Sequence, residues 1–274
     1  MENDGETRGF GNAYWDAIAA ESAGRGREEL WRAHLRELYR NLKDRWRQAE
    51  KPLCTLKTDL YDEAVSTHNL ISLFGTESER IVGTDVSLET ARAAKRRMAD
   101  EWGGWSSIAV SDARRQAFKS SVFDEVLSNS TLDHFADKSH ILESLEELWR
   151  IMKPGGTLII TLDNPWNPVV WVRNRLPYRL LKAAGLVPFY MGATLSGPEL
   201  VRALEAKGFR VCDSSAIAHG PRILAIWTGR LLARTPHERI RGGFHRVLRM
   251  FERLEALPTK YLTGYYVAVK AVKA

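Results

Sequence analysis

The chain has 274 residues, 44% of them hydrophobic, and a formal net charge of +6, which suits one large domain or one domain with an added cap. No stretch reaches the roughly 18 apolar residues that span a bilayer, and the polar, acidic start Met1-Glu-Asn-Asp-Gly-Glu6 predicts no secretory leader, so a soluble or peripheral protein is expected. Cys54 and Cys212 form no metal-ligand or redox pair. Set in apolar runs, both are expected as buried free thiols of a reducing cytoplasm. The charge is local: Arg222 to Lys260 holds nine Lys or Arg and three Glu, which accounts for the whole excess. Such a segment suits an anionic membrane, a nucleic acid or an acidic substrate, or is a solvated helix surface.

The first ~25 residues carry five glycines and little apolar periodicity, so a loose start is expected. From Glu28 to Gln48 the apolar residues Leu30, Trp31, Leu35, Leu38, Tyr39, Leu42 and Trp46 recur at three- and four-residue spacing, which predicts an amphipathic helix. Pro52 ends it and Leu53-Cys-Thr-Leu56 opens a first strand. Beyond it, strands and helices alternate in units of roughly 25–30 residues, the spacing of βαβ crossovers. Asp85 closes the run in Ile81-Val-Gly-Thr-Asp-Val-Ser87, and Ser87 suits the N-cap of a helix over Leu88 to Glu101. Asp112 follows the next run, Ile108-Ala-Val-Ser-Asp-Ala113. The run Phe123-Asp-Glu-Val-Leu-Ser-Asn129 leads to an amphipathic helix over His140 to Met152, stopped by Lys153-Pro-Gly-Gly156 before the strand Thr157-Leu-Ile-Ile-Thr161.

The segment from Asn164 to Tyr190 is irregular and aromatic. Ser196-Gly-Pro-Glu199 opens a short helix ending at Gly208, and Phe209-Arg-Val-Cys212 reads as a sixth strand. A late insert, 214–263, separates it from a last strand over Tyr265 to Val272. No Gly-x-Gly-x-x-Gly follows any strand, which disfavours a nicotinamide-dependent dehydrogenase.

This order of strand-end carboxylates resembles the class I S-adenosylmethionine-dependent methyltransferases, from about Leu53 to Val211. The resemblance implies an α/β, Rossmann-like seven-stranded sheet with helices on both faces and a last strand inserted antiparallel. It divides the chain into an N-terminal helical cap (1–50), a core (51–213 and 264–274) with a lid segment (164–195), and a basic helical insert (214–263). In open α/β sheets ligands sit outside the carboxyl ends of the strands. By position, Asp85 would take the ribose hydroxyls with Val86 under the adenine, Asp112 the adenine amino group, and the Ala113 N–H a ring nitrogen. Ser128 would lie near the sulfur.

The first loop departs from the family, which places glycines there. Here it reads Lys57-Thr-Asp-Leu-Tyr-Asp-Glu-Ala-Val-Ser-Thr-His68, similar to a Lys-Thr-Asp-Leu-aromatic-Asp-Glu-Ala signature of a bacterial methyltransferase subgroup. Two registers are open: Asp62 at the acidic position, with Ala64, Ser66 and His68 replacing glycines, or Asp59 there instead. Either Asp would accept from the cofactor's α-amino group, with Lys57 on its carboxylate.

Methyl transfer needs a nucleophile held in near-attack geometry, and a base where the nucleophile carries a proton. His134 is the best-placed titratable group for that role, with Asp133 and Asn164 on the same rim to orient a substrate and His219 reaching over from the insert. The Trp, Tyr and Leu content of the cover implies a small, apolar or lipid-like acceptor, with peripheral membrane contact through 222–260. Nucleic acid is disfavoured because no compact basic recognition motif is present. S-adenosylhomocysteine is the product such transfer leaves. The alternatives are non-methyl chemistry with the same cofactor, by aminocarboxypropyl transfer or cyclisation, or a non-catalytic binding or membrane-associated domain of this fold.

Overall fold

The computed structural model describes residues 11–22, 29–46, 52–75, 80–102, 106–187, 189–232 and 238–274. Two N-terminal helices, α1 (Asn12–Ser22) and α2 (Glu29–Arg45), precede strand β1 (Cys54–Thr58). There follow α3 (Tyr61–Val65), α4 (Ile71–Gly75), β2 (Arg80–Asp85), α5 (Leu88–Trp102), β3 (Ser106–Val110) and β4 (Phe123–Asn129). After a 3-10 turn at Leu132–His134 come α6 (Lys138–Ile151), β5 (Met152–Asp163), α7 (Pro168–Arg173), α8 (Tyr178–Ala183), α9 (Gly197–Ala206) and β6 (Phe209–Ile217). The chain closes with α10 (Arg222–Leu232), α11 (Glu238–Phe251), α12 (Lys260–Thr263) and β7 (Tyr266–Lys273).

The seven strands form one sheet in the order β3-β2-β1-β4-β5-β7-β6. Strands β1 to β5 pair in parallel, and β7 runs antiparallel between β5 and β6. Successive side chains of a strand point to opposite faces, and the core divides accordingly. Val126 and Leu158 face α6 and α9, through Ile141, Leu145, Leu148 and Leu200. Leu127 and Ile159 face α2 and α10, through Trp31, Leu38 and Ala225. The N-terminal helix is thus part of the structure that closes one face of the sheet.

Three expectations change. The loose start expected over the first ~25 residues lies outside the described residues at 1–10 and beyond Ser22; between them the chain forms α1, whose Asp16 carboxylate accepts from the Ser87 hydroxyl at 2.6 Å and from the Glu89 N–H at 3.1 Å. That long-range anchor leaves no trace in local periodicity. The sixth strand runs on to Ile217, so the chain leaves the sheet at Ala218 rather than Ser214. Cys212 lies on the outer edge strand and is exposed, while Cys54 is half-buried. The stop signal at Lys153-Pro-Gly-Gly156 does end α6, and Gly155 adopts φ +77°, a backbone region that suits glycine.

Candidate active site

The carboxyl ends of β1, β2 and β3 open into a cavity of about 900 Å³ that Asp59, Asp85 and Asp112 all line. Asp59 directly follows β1 in the left-handed region, at φ +65°, which Asp tolerates better than most residues. Its side chain accepts from the Tyr61 N–H at 2.7 Å, closing the turn into α3. Asp85 accepts from the Leu60 N–H at 2.9 Å and the Ser87 N–H at 2.8 Å, so one carboxylate ties the first two loops together. Burial, then the neighbouring Asp59, push Asp85 up to about 7, and burial raises Asp59 as well. Two crowded carboxyls with raised values at the ends of adjacent strands are set to receive hydrogen-bond donors or a positive charge.

Asp112 differs. Burial raises it, but the Arg114 guanidinium at 2.6 Å and the Arg114 N–H at 2.8 Å hold its carboxyl below the ordinary value. Val86 and Ala113 line the same end of the cavity. Of the two registers for the first loop, Asp59 takes the position at the strand end. Asp62 sits in the first turn of α3, also lining the cavity, and pairs with Arg32 of α2.

The glycine-poor loop has its own architecture. Lys57 is buried, donates to Glu63 Oε2 at 2.8 Å and to the Asp59 carbonyl, and does not line the cavity. Glu63, also buried, accepts from the Leu70 and Ile71 N–H groups at 3.0 Å each. A buried ion pair and a short helix therefore hold the backbone that glycines would otherwise shape. The carboxylate Lys57 meets is the protein's own. His68 is part-exposed, 3.8 Å from Glu29.

At the end of β4, Ser128 points away from the cavity, its buried hydroxyl without a hydrogen-bond partner, and Asn129, Ser130 and Thr131 form the rim instead. Ser130 has φ +48° and donates its hydroxyl to Asp133 Oδ2 at 2.7 Å. Asp133 is buried beneath that rim, accepts also from the Asp163 N–H at 2.8 Å, and leaves Oδ1 without a hydrogen bond. Burial, then Asp163, push it up to about 6. His134 lines the cavity, wedged against Trp15 and Phe189 with ring centroids 5.1 and 5.3 Å away. Its Nδ1 meets the Tyr190 carbonyl at 3.1 Å, so Nδ1 carries the hydrogen. Its Nε2 lies 3.8 Å from Asp133 Oδ1.

Two expected substrate residues are structural pins. The Asn164 amide donates to the carbonyls of Tyr261 and Gly264, at 2.6 and 2.8 Å, and fixes the return of the insert to β7. His219 is buried between Thr263 Oγ1, at 2.8 Å, and the Ala216 carbonyl, at 2.9 Å, and does not line the cavity. Sequence reading missed Trp15, Arg32, Tyr39, Arg173 and Tyr265, which all line it. The helical periodicity of α2 marks Tyr39 as core. Only its contact with Thr161 Oγ1, at 2.6 Å, places it under the active cavity.

Residues 64–160 match the family model of the methyltransferase domain. Over that segment the chain carries a methyltransferase domain, and its seven-stranded sheet has the class I methyltransferase fold. None of the curated proteins compared matches its sequence. Among solved structures, the complex containing the Haloferax volcanii Trm112 methyltransferase activator holds a similar chain, at 18% identity over 96% of each chain with TM-score 0.58. Geranyl diphosphate C-methyltransferase from Streptomyces coelicolor A3(2), in complex with Mg2+, geranyl diphosphate and S-adenosyl-L-homocysteine, is 15% identical over 87% of this chain and 79% of that one, with TM-score 0.56. The [4+2]-cyclase SpnF is 16% identical over 86% of this chain and 80% of its own, with TM-score 0.55. At these identities the structures share the methyltransferase fold. The donor set of the cavity is acidic at the strand ends: acceptors suited to an amine and to hydroxyls stand at Asp59 and Asp85, in a cavity spacious enough for two small molecules.

Proposed function

We propose that the chain transfers a methyl group from S-adenosylmethionine to a small, apolar acceptor held beyond β4, with S-adenosylhomocysteine as the product. The observation that carries this reading is the asymmetry of the cavity. The three carboxylates stand at β1, β2 and β3, whereas the end beyond β4 is walled by Leu35, Tyr39, Val172, Ile226, Tyr265 and Tyr266, with Arg173 and Arg222 among them, each donating to the Tyr265 hydroxyl. Apolar walls with few polar groups select by shape and by exclusion of water.

When bound, the cofactor supplies an electrophilic methyl group. On this reading Asp59 accepts from its amino group and Asp85 from its ribose hydroxyls. Asp112 and the Ala113 backbone face the base, with Val86 packing beneath it. The base for an oxygen or nitrogen nucleophile is His134, whose Nδ1 is committed to the Tyr190 carbonyl and whose Nε2 is the ring atom left to take a proton. Asp133, held by Ser130 and the Asp163 N–H, positions that ring from below. The polar rim at Ser130 and Thr131 is where an acceptor's reacting atom would lie. The likeness to a cyclase keeps a second reading in view, the same cofactor used without methyl loss.

Incubation with S-adenosylmethionine and apolar acceptors bearing a hydroxyl or an amine, followed by mass spectrometry, separates the two readings. Equal yields of S-adenosylhomocysteine and a product heavier by one methylene support methyl transfer. Turnover without S-adenosylhomocysteine supports the alternative. Ile226→Glu should abolish product while cofactor affinity stays within about twofold, since it removes only acceptor binding.

A further inference from the structure

The cavity mouth beyond β4 is bordered by apolar side chains that are also on the surface. Val169, Val172, Leu176 and Leu186, around α7 and α8, and Ile223 and Trp227 of α10 each line the cavity and are exposed. On the same helices Leu180 and Leu224, each 64% exposed, and Leu231 are also on the surface without lining the cavity. Isolated exposed apolar residues are ordinary, but a contiguous set around a ligand entrance marks an interaction surface.

The charge of the same surface says what it meets. No Asp or Glu occurs between Asp163 and Glu199, nor between Asp213 and Glu238. The first stretch carries Arg175, Arg179 and Lys182, all exposed, interleaved with the apolar side chains, and Trp171 lies under the Arg175 guanidinium at 3.6 Å. Apolar and aromatic side chains and cations, with no carboxylate in either stretch, suit the boundary between anionic headgroups and acyl chains, where Trp sits at the headgroup level. No helix among the described residues is long and apolar enough to cross a membrane, so contact would be from one side.

We propose that the mouth formed by α7, α8 and α10 docks on an anionic lipid surface. The acceptor end of the cavity would then open directly onto the bilayer. The docking face is this acid-free rim rather than the whole basic insert, since α11 turns Arg249 toward Glu37 of α2, 3.6 Å away.

The test is co-sedimentation of the full chain with vesicles of phosphatidylglycerol and phosphatidylcholine, compared with phosphatidylcholine alone, for the wild type and Leu180→Glu/Leu224→Glu. Neither substituted residue lines the cavity, so S-adenosylhomocysteine titration of the variant reports that it is folded. The expected result is binding to the anionic vesicles only, weakened by salt, and reduced about tenfold or more in the folded variant. Wild-type protein that stays in solution, or a folded variant that sediments as well as wild type, overturns the proposal. So does self-association of the wild type that the substitutions abolish, without vesicle binding, because the occupant is then a second copy. The assay reads partitioning without turnover, so it succeeds or fails independently of the acceptor's identity.

Discussion

Lys57 and Glu63 form a buried ion pair, Nζ to Oε2 at 2.8 Å, under the loop where methyltransferases of this class place glycines. The pair does two jobs. Its carboxylate caps the start of α4 through the Leu70 and Ile71 N–H groups, and its ammonium holds the Asp59 carbonyl at the end of β1. Removing either partner alone leaves a buried charge uncompensated and is expected to cost about 3–5 kcal/mol. Urea denaturation of Lys57→Met and Glu63→Leu checks this. The double variant should recover part of the loss, and single variants within error of wild type would show that the pair does not hold the loop.

Asp85 couples the site to pH. Its folded value of about 7 lies above the ordinary carboxylate range, so the native state keeps a proton that the unfolded chain releases near its usual value of about 3.9. Its contribution to stability is present at low pH and lost as pH rises through about 7. The cofactor-free wild type, measured against Asp85→Asn, should therefore lose Tm from pH 5 to pH 8. His68 and His245, lowered by burial, work in the opposite direction in both proteins and cancel in the comparison. Hydroxyl donors favour the ionised carboxylate, so cofactor affinity should rise over the same window. Calorimetry in buffers of different ionisation enthalpy would detect the proton released on binding.

His134→Gln should lower product formation by about two to four orders of magnitude for an acceptor that must lose a proton. Asp133→Asn, which removes the positioning carboxyl, should give a smaller fall in kcat with little change in KM. A His134→Gln variant that turns over as fast as wild type would remove His134 from the role of base.

Gly192 carries a different constraint. A β-carbon there would stand 1.9 Å from the Phe135 carbonyl oxygen, and the strap it belongs to is stitched to the His134 turn by Gly192 N–H to Asp133 O and Ala193 N–H to Phe135 O, both at 2.7 Å. Gly192→Ala is expected to displace that strap and the Tyr190 carbonyl with it, at a cost of about 1–3 kcal/mol in stability. Thermal denaturation and the His134-dependent activity should fall together.

Legibility in the sequence followed the range of each interaction. Asp85 and Asp112 could be placed at strand ends because apolar run and carboxylate lie within a few residues of one another, joined at Asp85 by the helix start at Ser87. The same locality revealed the stop signal of α6. Asn164 and His219 looked like site residues because a polar side chain in a loop carries no mark of its partner, and theirs are backbone carbonyls and a hydroxyl of the insert and its flanks. Helix α1 was invisible because Asp16, its anchor, meets Ser87 across 71 positions. Lys57 was read as a ligand contact, and its actual partner six residues on, Glu63, was not picked out. Nothing in spacing alone distinguishes a buried ion pair from a ligand contact.

The central claim is that the carboxylates ending β1 and β2 hold S-adenosylmethionine in a site built without the usual glycines. Calorimetric titration of the wild type with S-adenosylmethionine and S-adenosylhomocysteine, beside Asp85→Ala, tests it most directly. The account predicts micromolar binding of both ligands, lost in the folded variant. Well-folded wild type that binds neither ligand, or an Asp85→Ala variant that binds them as tightly as wild type, would contradict it.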